Sequence, residues 1–413
     1  MYNALFTTNF LSTLNDNYQK MLGMLVVTQW VSSEHKPLVI SIAGAALVLP
    51  YIFCSPLANR AAQVYGKKKV VTFCKALEIP IVLLAIIGFL LKDPSCFPEL
   101  ASKHSVTIIS TILVISAIFL IGIQSAMYSP AKYGLIRDIG GIENVSRGMG
   151  GMESISFLGM LLATAMAAFA VDNLSPVGYS LLLLIFALAG YIASLFISAQ
   201  EIPIEVREKL NPFAYMKQQH RMALQYKGLN SVIYILSIFW WFASTIQLSL
   251  IVYCQEDMGL EKGEPGLIMC VAAVGICIGC LLAGYLGNMN SKQFVLAPMY
   301  GLVLTMGLLV LFLLPPQHYI IFTIVIFFVG TFAGLFKVPL DAAIQRTVKP
   351  HELSSILAYF NQVSFLFMLL ASVTYYLLTL ILPLKFVFLM MAVVTGGAAL
   401  WLYIESKYMN IKT

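Results

Sequence analysis

Long apolar segments separated by short polar ones occupy most of the chain. A helix needs about 20 apolar residues to cross a hydrocarbon core of about 30 Å, and twelve segments reach that length. They lie near residues 8–31, 37–62, 70–92, 105–129, 148–171, 177–199, 229–254, 264–287, 293–314, 318–340, 353–378 and 383–404. The pattern predicts an all-α membrane protein with twelve transmembrane helices.

The longest polar segment, residues 200–228, divides these apolar segments into two sets of six. It contains the helix-breaking pair Asn211-Pro212 and five basic residues, Arg207, Lys209, Lys217, Arg221 and Lys227. Boundaries between compact units commonly fall in such polar segments. We therefore predict an N-terminal six-helix bundle over residues 1–199, a cytoplasmic linker over residues 200–228 and a C-terminal six-helix bundle over residues 229–413.

Short sequences of the first half recur at matching places in the second half. Residues 156–163 (SFLGMLLA) and 364–371 (SFLFMLLA) differ at one position in eight. A proline and an arginine seven residues apart end the fourth and the tenth apolar segments, at Pro130 with Arg137 and at Pro339 with Arg346. Because transporter halves are often repeats of one unit, the two bundles are expected to be pseudo-symmetric.

Composition supports the membrane assignment and limits the class of partner. Hydrophobic residues make up 60% and charged residues 11% of the 413 residues, which excludes a soluble domain of this size. The net charge is +6, but the basic residues concentrate in alternate loops, as the positive-inside rule requires. We expect a multi-pass protein of the inner (plasma) membrane, with both termini cytoplasmic, the lipid bilayer as its surroundings and no nucleic-acid partner.

An enzymatic function is not expected. The five histidines lie in or beside loops, and no His-x4-Asp acyltransferase arrangement occurs. The seven cysteines are scattered, mostly within apolar segments, and lack the spacing of a metal site. The sequence therefore predicts no catalytic residue, no metal site and no bound cofactor other than a coupling Na+ or H+.

Charged residues in the middle of the first apolar segment are the strongest functional signal. An Asp or Lys at the centre of a membrane helix costs roughly 2.5–3.5 kcal/mol, so such residues usually line a cavity or relay ions. Asp16, Asn17 and Lys20 are therefore candidates for a binding site. The alternative is an internal ion pair, because Asp16 and Lys20 are four residues apart and share a helix face.

Three further sets of charged residues lie within or beside apolar segments. Lys337 and Asp341 flank Pro339 and form either a hinge or gate or a salt bridge at the cytoplasmic end of the helix. Glu153 lies near the start of the fifth segment, where a helix dipole favours an acid. Pairing of Glu153 with Lys132 or Arg137 is a second explanation. Lys75 and Glu78, three residues apart, are expected to pair with each other and are left outside the site.

Residues 59–69 resemble the signature loop between the second and third spans of the major facilitator superfamily. In that family a glycine, an acidic residue four positions later and a basic run latch the two halves on the cytoplasmic side. Here Asn59 replaces the glycine, Gln63 replaces the acid and Lys67 begins the basic run. The resemblance implies a conformational role for Gln63 and Lys67. A basic loop that only orients the protein is the alternative.

Four segments together resemble the bacterial lysophospholipid transporter family of that superfamily: residues 10–17, 128–134 (YSPAKYG), 151–154 (GMES) and 338–340 (VPL) with Gln345. The resemblance implies the major facilitator fold and alternating access. The implied cargo is a lysophospholipid, above all lysophosphatidylethanolamine, moved to the cytoplasmic leaflet for re-acylation by an acyltransferase on a separate polypeptide. It also places Lys132 and Glu153 among the gating or conformational residues. A water-soluble metabolite or drug is the alternative cargo.

The chain departs from the better-known members of that family, which pair the first-span Asp with an Arg in the seventh span and an acid in the eleventh. This sequence offers Thr245, Gln247 and Ser249 in the seventh span and Asn361, Gln362 and Ser364 in the eleventh. The loss of both charges leaves the preferred head group and the coupling ion open.

The expected substrate-binding residues are Asp16, Asn17, Lys20, Gln247 and Asn361. They would lie near the midplane, where secondary transporters bind their cargo. Asp16 would face the ethanolamine ammonium or a coupling cation. Lys20 would face the phosphate, or would only neutralise Asp16.

Overall fold

The computed structural model describes residues 1–32, 36–199, 211–260, 264–289 and 293–408, and regular secondary structure within them is helical throughout. The helices are α1 (Asn3–Trp30), α2 (Lys36–Phe53), α3 (Ser55–Tyr65), α4 (Lys67–Leu91), α5 (Pro98–Ala101), α6 (His104–Gly140), α7 (Val145–Asn173), α8 (Pro176–Leu195), α9 (Pro212–Ala223), α10 (Leu229–Glu256), α11 (Glu264–Met289), α12 (Gln293–Leu313), α13 (Tyr319–Thr347), α14 (Leu353–Ile381) and α15 (Phe386–Tyr408). The prediction of an all-α membrane protein is confirmed.

Ten helices in the described part of the chain are long and apolar enough to cross a bilayer. Helices α2 and α3 form a further candidate span, bent by 55°. Helix α1 has 28 residues, which suffices for a crossing, but polar side chains interrupt its apolar surface. The twelve predicted segments correspond to these ten helices, the bent pair and α1.

The bend between α2 and α3 follows from proline chemistry. Pro50 lies inside α2, and Pro56 lies at the start of α3. Because proline has no N–H, Pro56 cannot donate to the carbonyl four residues earlier, and its ring crowds that carbonyl. The helix therefore breaks at Cys54 and restarts in a new direction.

Two helices continue beyond the ends predicted from the sequence. Pro130 lies inside α6, which ends at Gly140, and Pro339 lies inside α13, which ends at Thr347. Both prolines lie within their helices, because a proline costs a helix one hydrogen bond without requiring it to stop. Arg137 and Arg346 instead lie in the last turns, where the helix dipole favours a cation.

The chain divides into two compact units. The first unit comprises residues 1–139 and 159–215, and the second comprises residues 140–158 and 216–413. Helix α7 is therefore shared, with its first half in the second unit. Of the predicted linker, residues 200–210 lie outside the described residues, and α9 begins at Pro212. The predicted bundle boundaries stay a prediction.

The core of the first unit is built from α1, α2, α4, α6, α7 and α8. Its centre is aromatic: the ring of Tyr18 lies edge-on to Phe186 at 5.7 Å, and Phe89 lies edge-on to Tyr179 at 5.4 Å. The Tyr18 hydroxyl donates to the backbone carbonyl of Tyr179 at 3.3 Å. This bond ties α1 to α8, so the polar residues of α1 are held in a fixed orientation.

The second unit depends on close approach of α11 and α13. A Cβ added at Gly279 would collide with the Thr331 carbonyl oxygen, and one added at Gly334 would lie 2.6 Å from the Cys280 backbone nitrogen. Lipid tails are as apolar as the helices, so membrane helices associate through tight packing of small residues rather than through the hydrophobic effect. Glycine is required here for lack of space.

We predict that Gly279→Ala destabilises the second unit by about 1–3 kcal/mol, because the added methyl group meets backbone that cannot move aside. The control is Gly266→Ala at the start of the same helix, where a Cβ would meet nothing within 4 Å. The control variant should be as stable as the wild type, or more stable by about 0.4–1 kcal/mol. Thermal unfolding of the detergent-solubilised variants measures both, and equal unfolding temperatures would contradict the packing account.

Candidate functional site

Helix α1 carries polar residues on two neighbouring faces. Thr8, Ser12, Asn15 and Gln19 follow one another at intervals of three or four residues and are buried. Asp16, Asn17 and Lys20, near the middle of the helix, are half-buried on the adjacent face. This arrangement explains why α1 is less apolar than a typical span: it supplies polar groups both to the interior of the first unit and to a more accessible face.

Asp16 bonds to a neighbouring helix rather than to Lys20. Oδ2 of Asp16 accepts the hydroxyl of Ser125, on α6, at 2.5 Å. No ion pair joins Asp16 to Lys20, although both residues are described. The alternative in which Lys20 only neutralises Asp16 is therefore wrong.

A polar network extends from Asp16 into the interior of the first unit. Glu78 accepts Asn15 Nδ2 at 2.5 Å and Gln124 Nε2 at 3.3 Å, and it forms an ion pair with Lys75. Asn15, Lys75, Glu78 and Gln124 are each fully buried. The predicted Lys75–Glu78 pair is confirmed.

Sequence reasoning missed the connection from this ion pair to Asp16. Gln124 and Ser125 are adjacent on α6 and hydrogen bonded at 3.1 Å, so they link Glu78 to Asp16. The sequence did contain a signal for this network, because Lys75, Gln124 and Ser125 are polar residues within apolar segments. That polarity does not indicate which helices pack together, so the partners could not be predicted.

Lys20 is the half-buried lysine of α1. Among the described residues no carboxylate lies within 4.0 Å of its ammonium group, and its side chain makes no hydrogen bond. Asn17, on the same side of α1, donates Nδ2 to the Thr13 carbonyl at 2.8 Å. Lys20 is thus a half-buried lysine in the middle of a span, which suits it to an anionic ligand.

Lys132, the lysine of the YSPAKYG segment, lies within the first unit. Its Nζ donates to Asn9 Oδ1, on α1, at 2.8 Å. The same ammonium lies 5.2 Å from the ring centroid of Tyr128 and 5.0 Å from that of Tyr133, within cation–π range. Lys132 therefore fastens the C-terminal part of α6 to α1.

Residues 59–69 form two helices joined at Gly66, not the predicted loop. Gly66 has φ +88°, a backbone conformation that favours glycine. Gln63 is buried on α3. Lys67 begins α4 and pairs with Asp138, on α6, at 2.5 Å. A Cβ at Gly134 would lie 2.8 Å from the Lys67 side chain, so this glycine leaves room for the lysine to reach Asp138.

A buried ion cluster in the second unit joins three of the predicted gating residues. Lys337 Nζ lies 2.6 Å from Asp341 Oδ2 and 2.9 Å from Glu153 Oε1. It also lies 5.3 Å from the ring centroid of Trp240. All three charged side chains are at most 3% exposed. The cluster ties the first half of α7 to α13, so the predicted Lys337–Asp341 salt bridge is confirmed and gains a third member.

The explanation of Glu153 by the helix dipole is wrong. Helix α7 begins at Val145, which places Glu153 more than two turns from the N-terminus, and no acidic residue lies in the first turn. Its charge is instead compensated by Lys337 on α13. Long-range contacts of this kind cannot be read from the position of a residue in its own helix.

The remaining candidates lie in the second unit. Gln247, on α10, is exposed and makes no side-chain hydrogen bond among the described residues. Its neighbour Thr245 is buried and donates to the Trp241 carbonyl. Asn361 is buried on α14. Within the described residues, no group of three or more His, Cys, Asp or Glu side chains is placed to hold a metal ion.

We predict that Lys337→Met destabilises the second unit by about 3–5 kcal/mol, because it leaves two carboxylates buried without their cation. Lys385→Met, at an exposed lysine of the same unit, is the matched control and should unfold like the wild type. Replacing all three charges (Glu153→Gln, Lys337→Met, Asp341→Asn) should recover part of the loss. Thermal unfolding in detergent measures each variant, and a Lys337→Met protein as stable as its control would refute the cluster's role.

Comparison with known proteins agrees with this architecture. The family model of the Major Facilitator Superfamily matches residues 5–372. The lysophospholipid transporter LplT of Photorhabdus laumondii is 24% identical over 351 residues, which cover 83% of this chain and 79% of that protein. LplT of Serratia proteamaculans is 23% identical, with 84% and 80% covered.

Solved transporter structures share the fold at low sequence identity. A bacterial homologue of the iron transporter ferroportin, in the outward-facing state, aligns with a TM-score of 0.74 and 13% identity over 98% of this chain and 99% of that one. The Escherichia coli fucose:proton symporter aligns with a TM-score of 0.71 and 11% identity over 98% of each chain. With the family model matching most of its length, the chain belongs to the major facilitator superfamily and is a multi-pass membrane transporter.

Proposed function

We propose that this transporter moves lysophospholipids, with lysophosphatidylethanolamine as the preferred cargo, by alternating access. The observation that carries the proposal is Lys20, a half-buried cation in the middle of a span with no protein counter-ion among the described residues. The relatives named as lysophospholipid transporters, which match over about four fifths of their length, support the same cargo.

A lysophospholipid provides the counter-ion that Lys20 lacks among the described residues. Its phosphate carries a negative charge, and an ammonium binds phosphate as a compact point charge with three donors. An isolated lysine at mid-span costs roughly 2.5–3.5 kcal/mol. Binding of the phosphate removes this cost only while cargo is present. Lys20 therefore recognises the phosphate of the head group. Asn17, on the same side of α1, offers its side-chain carbonyl oxygen as an acceptor for the ammonium of the head group.

The cargo also needs a path for its acyl chain. Phe10, Met21 and Met24 of α1 are partly exposed apolar side chains that also pack against the core of the first unit. Methionine adapts its shape to different partners because its side chain is unbranched and flexible. A polar head site beside adaptable apolar side chains suits an amphipathic molecule better than a sugar or another fully polar metabolite.

The conformational cycle is assigned to the charged contacts outside the head site. Lys67 with Asp138, Lys132 with Asn9, and Glu153 with Lys337 and Asp341 each join two helices. Gln63 lies beside the first of these contacts at the α3–α4 joint. We assign transport toward the cytoplasmic leaflet of the inner membrane, with both termini cytoplasmic and with re-acylation by a separate acyltransferase.

We predict that Lys20→Gln lowers uptake of labelled lysophosphatidylethanolamine at least about tenfold, because one phosphate contact to a charged donor contributes about 1.5–3 kcal/mol. Lys20→Arg should retain most of the uptake, since the cation remains. Uptake is measured in proteoliposomes that contain the purified full-length protein, with Lys385→Gln as the exposed-lysine control.

Two outcomes would contradict the proposal. Wild-type protein that inserts correctly but moves no lysophospholipid would exclude this cargo and favour a water-soluble metabolite or drug. Normal uptake by Lys20→Gln would remove Lys20 from head-group recognition.

A further inference from the structure

A cavity of about 210 Å³, here named the Trp30 cavity, lies at one end of the first unit. Its wall is formed by the C-terminal ends of α1, α4 and α7, by the residues that follow α4 and by the first turn of α8. Trp30 ends α1, and Lys92 and Asp93 directly follow α4. Trp30 lies ten residues beyond Lys20 on α1, which is about 15 Å at 1.5 Å per residue. The cavity is therefore separate from the Lys20 site.

The helix ends in this wall make the Trp30 cavity electronegative. Helices α1, α4 and α7 end at Trp30, Leu91 and Asn173, and none of the three carries a basic residue in its last turn. The C-terminal end of a helix carries a partial negative charge of about half an elementary charge and favours a cation. The N-terminus of α8 is capped, because the Ser175 hydroxyl oxygen accepts the Gly178 N–H at 3.2 Å. The cavity therefore attracts a positively charged group.

Asp93 adds a buried carboxylate to this wall. The residue is 4% exposed. Its Oδ1 accepts the backbone N–H of Ser95 at 2.9 Å, and its Oδ2 lies 3.6 Å from the Cys96 sulfur, which is only a weak donor. Among the described residues no basic nitrogen lies within 4.0 Å of the carboxylate. A buried carboxylate beyond the C-terminal end of a helix, where the dipole disfavours an anion, requires a cationic partner.

Lys92 places a positive charge beside Asp93 without neutralising it. Lys92 Nζ donates to the Ala101 carbonyl at 2.5 Å, which uses one of the three hydrogens of the ammonium. Within the described part of the chain no carboxylate lies within 4.0 Å of this ammonium, although Asp93 is the next residue. The wall thus offers one anionic and one cationic group that do not pair with each other, as a zwitterionic ligand requires.

Aromatic rings form much of the remaining wall. Trp30 lies edge-on to Phe89 at 6.5 Å, and Phe89 lies edge-on to Tyr179 at 5.4 Å. Trp30 is partly exposed, whereas the other two are buried. Tryptophan is the aromatic side chain that attracts an ammonium most strongly. Pockets for drug-sized ligands usually measure about 300–1,000 Å³, so the smaller Trp30 cavity has room for a head group but not for a whole lipid.

We propose that the Trp30 cavity binds the phosphoethanolamine head group of the lysophospholipid cargo before the cargo reaches Lys20. Asp93 and Trp30 hold the ammonium, and Lys92 holds the phosphate. The identity of this ligand rests on the proposed function. A metal cation such as Ca²⁺ takes about six to eight oxygen ligands, whereas Asp93 is the single carboxylate in the wall. The cavity is therefore suited to an organic ammonium.

The position of the cavity agrees with a loading site. With both termini assigned to the cytoplasm, α1 ends on the opposite side of the membrane, so the Trp30 cavity lies where the cargo enters. Val177 and Leu181 of α8, the helix that begins at the cavity, are exposed and lie on one helix face. They provide apolar surface for the acyl chain outside the cavity.

Binding of two labelled lysolipids to the purified full-length protein tests this site. Lysophosphatidylethanolamine carries the ammonium, whereas lysophosphatidylglycerol carries the phosphate alone. In a Lys20→Gln background, which weakens the Lys20 site, Asp93→Asn should lower the affinity for lysophosphatidylethanolamine at least about tenfold, because a charged acceptor is lost. Its affinity for lysophosphatidylglycerol should not fall. The asparagine oxygen still accepts the Ser95 N–H, so the fold should persist, and Asp172→Asn at an exposed aspartate of α7 is the matched control.

Two further variants separate the roles within the wall. Lys92→Gln should weaken the binding of both lysolipids, because both carry the phosphate. Lys103→Gln, at an exposed lysine of the same unit, should bind both as its parent does. Trp30→Leu should weaken lysophosphatidylethanolamine more than lysophosphatidylglycerol, since the ring acts on the ammonium.

Unchanged lysophosphatidylethanolamine affinity in Asp93→Asn would overturn the proposal, and so would an equal loss for both lysolipids, which indicates a structural role for Asp93. Diacyl phosphatidylethanolamine that competes as strongly as the lysolipid would make bilayer lipid the occupant and refute the loading site. The soluble head group glycerophosphoethanolamine separates this site from the cargo, because it should bind the wild type more tightly than Asp93→Asn. If the wild type moves no lysophospholipid, the proposed function fails, while this comparison still decides whether the cavity binds the head group.

Discussion

A charged side chain within a membrane span must find a partner, and this constraint organises both units of the protein. The cost of an isolated charge in hydrocarbon is too large to be carried by an unused residue. In the first unit Lys75 is paired with Glu78, and in the second Lys337 is paired with Glu153 and Asp341. Both groups are buried; Lys75 and Glu78 share α4, whereas the contact of Lys337 with Glu153 also joins α13 to α7.

The two units compensate their buried charges in different ways. Lys337 contacts two carboxylates directly, so the cluster is closed and holds α7 to α13. In the first unit only Glu78 contacts the lysine, and Asp16 bonds to a serine hydroxyl instead. Among the described residues, Asp16 Oδ1 therefore has no hydrogen-bond partner and Lys20 has no counter-ion. In the proposed function, Lys20 of the first unit therefore binds the cargo, and the closed cluster of the second unit is one of the contacts assigned to the conformational cycle.

Hydrogen bonds and ion pairs between buried groups depend on close packing of the helices that carry them. The Tyr18 hydroxyl ties α1 to α8, and Gly134 leaves space for Lys67 to reach Asp138. Similarly, the glycines between α11 and α13 bring α13 close enough to its neighbours for Lys337 to be buried. Small residues in these helices therefore have an electrostatic consequence, because they decide which buried charges can meet.

The sequence by itself determined the membrane class, the approximate positions of the spans and the unusual polarity of α1. These features depend on local composition, since length and apolarity decide whether a segment crosses a bilayer. It also identified Lys75 with Glu78 and Lys337 with Asp341, because residues three or four apart share a helix face. Tertiary structure alone decided the partners from other helices: Ser125 for Asp16, Gln124 for Glu78 and Lys337 for Glu153. Such pairs lie tens or hundreds of residues apart, and only helix packing brings them together.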